Sequence, residues 1–260
     1  MTEPTAATDG NDGAAGVDAA EFAARLETVR RRMASATPSD PTTIRIVAVT
    51  KGFGVDAVEV ALAAGLADIG ENYADELLAK SGAINSGTAG DEVAASASAG
   101  APPAGGPQPR VPTWHFLGAI QRNKVARLSP VVTWWQGVSR VEEGVAIARR
   151  RPDATMLVQV DLAGIAGRGG CAPGRVPDLV GSLRDQGIDV AGLMAVGVPG
   201  PPEASRTGFA SVSRLADQLD LEVRSMGMTD DLEVAVAEGS TMVRLGRALF
   251  GSRPVRTGGP

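Results

Sequence analysis

The chain has 260 residues, a formal net charge of −5 and an ordinary apolar fraction of 43%. That length suits one large α/β domain with a sizeable core, and the acidic balance argues against a nucleic-acid binder, which normally shows a basic face. A single cysteine, Cys171, excludes an internal disulfide framework and fits a reducing cytoplasm, and no apolar run reaches the roughly 18 residues of a membrane span.

Residues 1–16 are polar and rich in Gly and Ala, with neither a basic start nor an apolar run, so they read as a disordered tail and not a secretory signal. A helix is expected over 18–35. Beyond it, short β-rich runs alternate with helical periodicity. The runs fall at 44–50, 66–70, 111–118, 131–135, 155–162, 189–197, 221–227 and 240–246. Helices are expected at 54–64, 71–80, 121–128, 139–151, 174–186, 203–219 and 229–238, with a short one after Gly246. Val55, Val58 and Leu62, and Val176, Leu179, Val180 and Leu183, recur at the three-and-four spacing of an amphipathic helix. Between 81 and 110 the chain turns to Gly, Ala, Ser and Pro, which reads as a flexible surface insertion. Eight strands alternating with eight helices give a single α/β (β/α)8 TIM-type barrel over 17–252, with an extra N-terminal helix and a C-terminal tail at 253–260. A doubly wound open sheet is the rival, but it gives no reason for eight regular units.

In such a barrel the site lies at the C-terminal ends of the strands. Lys51 ends the first strand. Partly desolvated there, its amine would have a lowered pKa and could attack an aldehyde; a plainly solvated lysine is the equal alternative. Strands seven and eight end in "SMGMT" and "VRLGRALFG", the position where barrels commonly bind phosphate. Gly227 and Gly246 allow close backbone approach there, and Ser225 and Thr229 add hydroxyls, although a glycine after a strand is often only a turn. Arg244, turned inward, needs an acceptor, either a pyridine nitrogen or a barrel carboxylate. Glu71 reads as a favourable charge in a first helical turn. Asn72 is a ligand donor or a cap, and the lone histidine, His115, is more often a core residue than a base. No catalytic triad and no metal site are expected.

The blocks "VAVTK", "GENYADE", "WHFLGAIQRNK", "GLMAVG" and "SMGMTDDLEVAVAEGSTMVRLGRALFG" resemble the signature blocks of the pyridoxal phosphate homeostasis protein family, in order, over roughly residues 20–252. Members are single barrels similar to the N-terminal domain of alanine racemase. The resemblance implies that Lys51 holds pyridoxal 5'-phosphate (PLP) as a Schiff base. It places Ser225, Gly246 and Arg247 around the phosphate, Arg244 near the pyridine nitrogen, and Asn72 and Met226 in the same pocket. It also implies a carrier in vitamin B6 homeostasis, a cytoplasmic monomer that supplies PLP-dependent apo-enzymes and touches neither nucleic acid nor membrane. The alternatives are a PLP-dependent racemase-type enzyme and a barrel isomerase acting on a phosphorylated metabolite. Racemase activity is disfavoured because few residues follow Gly251 to supply a second domain and its tyrosine base. Two departures stand out. Arg247 replaces a residue that is often Thr or small in relatives. Arg168, in "GRGG", stands where many relatives carry a lysine implicated in cofactor transfer.

Overall fold

A computed structural model describes residues 16–37, 39–87, 111–165 and 169–253. Its strands are β1 (Arg45–Val49), β2 (Asp68–Glu71), β3 (Thr113–Phe116), β4 (Val132–Val138), β5 (Thr155–Val160), β6 (Val190–Ala195), β7 (Val223–Ser225) and β8 (Met242–Leu245). Each pairs in parallel with its sequence neighbours, and β8 returns to β1, with Val47 opposite Arg244, so the sheet closes. Closure removes every sheet edge and turns alternate residues into the barrel. There Val47, Leu157, Met194 and Met242 are buried, with a set of polar side chains above and between them.

The outer layer consists of α2 (Val55–Ala63), α3 (Ala74–Gly87), α4 (Arg122–Leu128), α5 (Val141–Ala148), α6 (Val176–Asp185), α7 (Arg206–Gln218), α8 (Leu232–Ala237) and the short α9 (Arg247–Phe250). Preceding them is α1 (Ala19–Ala36), opened by Asp18, whose carboxylate accepts the Glu21 N–H at 2.8 Å. Phe22, Leu26, Val29 and Met33, spaced four, three and four apart, are at most 3% exposed. Their burial is worth roughly 6–12 kcal/mol as an upper estimate. This face lies on α8 and α9, with the Phe22 and Phe250 rings 5.1 Å apart. Arg32 clamps the arrangement through Glu233 at 2.5 and 2.7 Å and the Thr229 carbonyl at 2.9 Å.

The end of one helix differs from expectation most. α3 runs on to Gly87, seven residues into the segment expected to be a flexible insertion. The cause is a buried face that continues through Leu77, Lys80, Ser81 and Ile84. The remainder of that segment, 88–110, lies outside the described residues, as do 1–15, Arg168 and 254–260. Among the described residues no helix is long and apolar enough to cross a membrane.

Candidate functional site

Three strand ends build the mouth of the barrel. At the end of β1, Thr50 is held by β2 through its N–H to the Gly70 carbonyl, at 3.1 Å. Lys51 follows, half-buried, with Nζ 5.7 Å from the centroid of the exposed Tyr73 ring. Burial and the nearby Arg253 charge push its amine below the ordinary lysine range, against the opposing pull of Glu71 and Glu76. The neutral form that attacks a carbonyl is therefore more accessible than in a solvated lysine.

Beside it lies a buried charged cluster. Glu71 is the last residue of β2 and not part of a helical turn, so the expectation of a first-turn charge is corrected. It is fully buried, accepts the Thr50 hydroxyl at 2.6 Å and pairs with Lys80 at 2.5 Å. Lys80 also donates to the Thr50 carbonyl at 2.7 Å. Glu76 accepts the Gly52 N–H at 3.0 Å. The residues flanking Lys51 on both sides are thus pinned by charges from β2 and α3.

On β8, the strand that pairs with β1 to close the barrel, Arg244 is 5% exposed. No carboxylate meets it among the described residues. Its Nη1 donates to the Ser225 carbonyl at 2.6 Å and hydroxyl at 2.8 Å, and Nη2 donates to the Ala195 carbonyl at 2.8 Å. Burial pulls the guanidinium down to about 10, with Asp231 opposing from a distance, so it stays charged at neutral pH. Of the two acceptors the sequence left open for Arg244, a barrel carboxylate is not what it meets.

Ser225 is fully buried, and its hydroxyl donates to Gln136 at 2.7 Å while accepting from Arg244. That hydroxyl, expected at a phosphate, is committed inside the barrel. Met226 is buried next to it, and its N–H pairs with the Met242 carbonyl. Gly227 has φ +93°, a conformation that favours glycine, and its carbonyl accepts the Arg244 N–H at 3.0 Å. Gly246 opens α9 so close to β1 that a Cβ would stand 3.1 Å from the Val49 carbonyl oxygen. Arg247 is exposed, and its side chain pairs with Asp230. The Thr229 hydroxyl accepts the Ala248 N–H at 3.1 Å. Asn72 is half-buried just after β2. Cys171 is half-buried, and burial raises its thiol above the ordinary range.

His115 sits below, fully buried and stacked on Trp134 at 5.1 Å. Burial pushes its imidazole below the ordinary range, against the pull of Asp68. Burial pushes Asp68 upward, but His115 and Arg45 together bring it below the usual carboxylate value.

A family profile described as alanine racemase, N-terminal domain, matches residues 17–254. The chain is 34% identical to a pyridoxal phosphate homeostasis protein of Pseudomonas aeruginosa, over 90% of this chain and 94% of that protein. Among solved structures it resembles a protein of unknown function from Bifidobacterium adolescentis, with TM-score 0.76 and 27% identity over 91% of this chain and 99% of that one. It also resembles PipY of Synechococcus elongatus, solved with PLP bound, with TM-score 0.67 and 26% identity over 88% of this chain and all of that one.

Proposed function

Because this chain belongs to the pyridoxal phosphate homeostasis protein family, with a barrel of the alanine racemase N-terminal-domain type, we propose that it binds pyridoxal 5'-phosphate at Lys51, carries it in vitamin B6 homeostasis and releases it to PLP-dependent apo-enzymes. The reading makes it a cytoplasmic monomer without strong catalysis of its own. The observation that carries it is the pairing at one barrel end of a half-buried lysine, shifted toward its neutral form, with a buried arginine that meets only neutral acceptors.

The residues present fit the cofactor. When bound, it supplies an aldehyde that takes up a primary amine reversibly. Lys51 offers that amine, and Thr50, Glu71 and Lys80 fix the strand end that carries it. Gly227 and Gly246 follow β7 and β8, where barrels commonly hold a phosphate, and the Arg247 backbone N–H would be a donor to it there. Asn72 and Met226 complete the wall. Arg244 is a donor without an acceptor, so beside a pyridine nitrogen it keeps that nitrogen unprotonated and weakens the ring as an electron sink. Weak catalysis follows from that, and His115 offers no remedy because both its ring nitrogens are engaged in the barrel. One contact favours a racemase-type alternative: Tyr73, the sole tyrosine, lies beside Lys51.

Borohydride reduction after incubation with PLP, followed by peptide mapping, tests the binding. A single adduct on Lys51 is expected; an adduct elsewhere, or none, refutes it. Multiple turnovers of alanine enantiomers by the loaded protein would overturn the carrier reading in favour of the racemase.

A further inference from the structure

The buried polar groups of the barrel form one file. Arg244 Nη1 donates to Ser225 Oγ at 2.8 Å, and Ser225 donates to Gln136 Oε1 at 2.7 Å. Gln136 Nε2 lies 2.8 Å from His115 Nδ1, and His115 Nε2 lies 2.9 Å from Asp68 Oδ1. Arg45 closes the far end on Asp68 at 2.5 and 3.2 Å. The file spans the lumen, since Gln136 on β4 reaches Ser225 on β7 and rests on the Met242 sulfur of β8 at 3.2 Å.

The chemistry of the two ends fixes every proton. A guanidinium only donates, so the Ser225 oxygen accepts from it and the hydroxyl proton goes to Gln136. The amide oxygen is then used and its nitrogen donates. His115 Nδ1 must accept, which leaves the proton on Nε2 for Asp68. All four bonds point the same way, from Arg244 toward the carboxylate. Mutual polarisation strengthens such a chain. It does not move protons, because an amide stands in its middle and an arginine at its head.

We propose that Gln136 is a positioning residue for the cofactor: by taking the Ser225 proton and presenting its amide to His115, it locks Ser225 as an acceptor and so fixes the plane in which Arg244 faces the pyridine ring. The partners of Arg244 support this: among the described residues no carboxylate pairs with it, so the neutral groups of the file orient its guanidinium. The inference rests on the binding reading above, and its tests separate the two.

His115 is the chain's only histidine, so its ring nitrogens can be read by ¹⁵N NMR in the protein without cofactor. The expected result at pH 7 is a neutral ring with the proton on Nε2 and an unprotonated Nδ1. A proton on Nδ1 breaks the file and overturns the proposal, whatever PLP does. In the loaded protein, Gln136→Met should keep the borohydride-trapped adduct on Lys51 yet bind PLP about tenfold more weakly, with a shifted pH profile of the visible band. Ser225→Ala, which removes the hydroxyl that joins Arg244 to Gln136, should weaken binding and shift the profile as Gln136→Met does. A folded Gln136→Met protein within about threefold of wild type, with an unchanged profile, overturns the proposal. Loss of the Lys51 adduct in the wild type would instead remove the binding reading and leave the NMR test standing.

Discussion

Replacing Lys80 by methionine should destabilise the fold strongly, because it removes the partner of a fully buried carboxylate. Glu71 is fully buried, and its Oε2 has no hydrogen-bond partner, so the ammonium and the Thr50 hydroxyl on Oε1 are what hold the carboxylate there. Lys80→Met preserves length and apolar contact but leaves that charge uncompensated, for which buried pairs lose about 3–5 kcal/mol. At this chain length the loss corresponds to a melting-temperature drop of roughly 6–20 °C. Glu71→Gln combined with Lys80→Met removes the orphan charge and should recover most of it. The assay is thermal and urea denaturation followed by circular dichroism, arranged as a double-mutant cycle. The reasoning fails if Lys80→Met alone costs less than about 1 kcal/mol, or if the two substitutions simply add.

The depressed imidazole of His115 sets a pH dependence. Above about pH 6.5 the ring is neutral in both folded and unfolded chains; below it the unfolded chain takes up a proton that the folded one refuses, so stability falls with falling pH by up to about 1.4 kcal/mol per unit. Melting temperatures across that range read the effect, and an imidazole that titrates in the folded protein at its ordinary value contradicts it. Two glycines should respond oppositely to alanine. A Cβ on Gly118 would stand 2.1 Å from the Asn72 carbonyl oxygen, backbone against backbone, so Gly118→Ala should cost about 3 kcal/mol or more. A Cβ on Gly181, within α6, meets nothing within 4 Å, so Gly181→Ala should stabilise by roughly 0.5–1 kcal/mol. Equal effects of the two on melting temperature would show that local crowding does not decide them.

The barrel is legible because β-rich runs and amphipathic stretches alternate on both sides of the 81–110 segment, and each of the eight strands overlaps one of those runs. What escaped has identifiable causes. The β-rich run 131–135 ends short of the fourth strand, which continues to Val138 and so carries Gln136 into the barrel. A lone amide after two tryptophans on a strand is itself the signal of a buried polar position. Lys80 was hidden at the edge of a low-complexity segment, and only its place between Leu77 and Ile84 on one helical face marks it as buried. Ser225 and Arg247 were assigned by resemblance to a phosphate. The side-chain partners they take here, Gln136 and Asp230, come from another strand and from a loop, and no local pattern encodes them.

The seating of α1 on α8 and α9 has a consequence for synthesis. The helix emerges from the ribosome first, but the surface that covers Phe22, Leu26, Val29 and Met33 ends at Phe250. At about 5–20 residues per second the apolar stripe waits roughly 10–45 s for its partner. During that interval it is a natural docking point for chaperones, and conditions that slow translation of the last third of the message should raise the aggregated fraction.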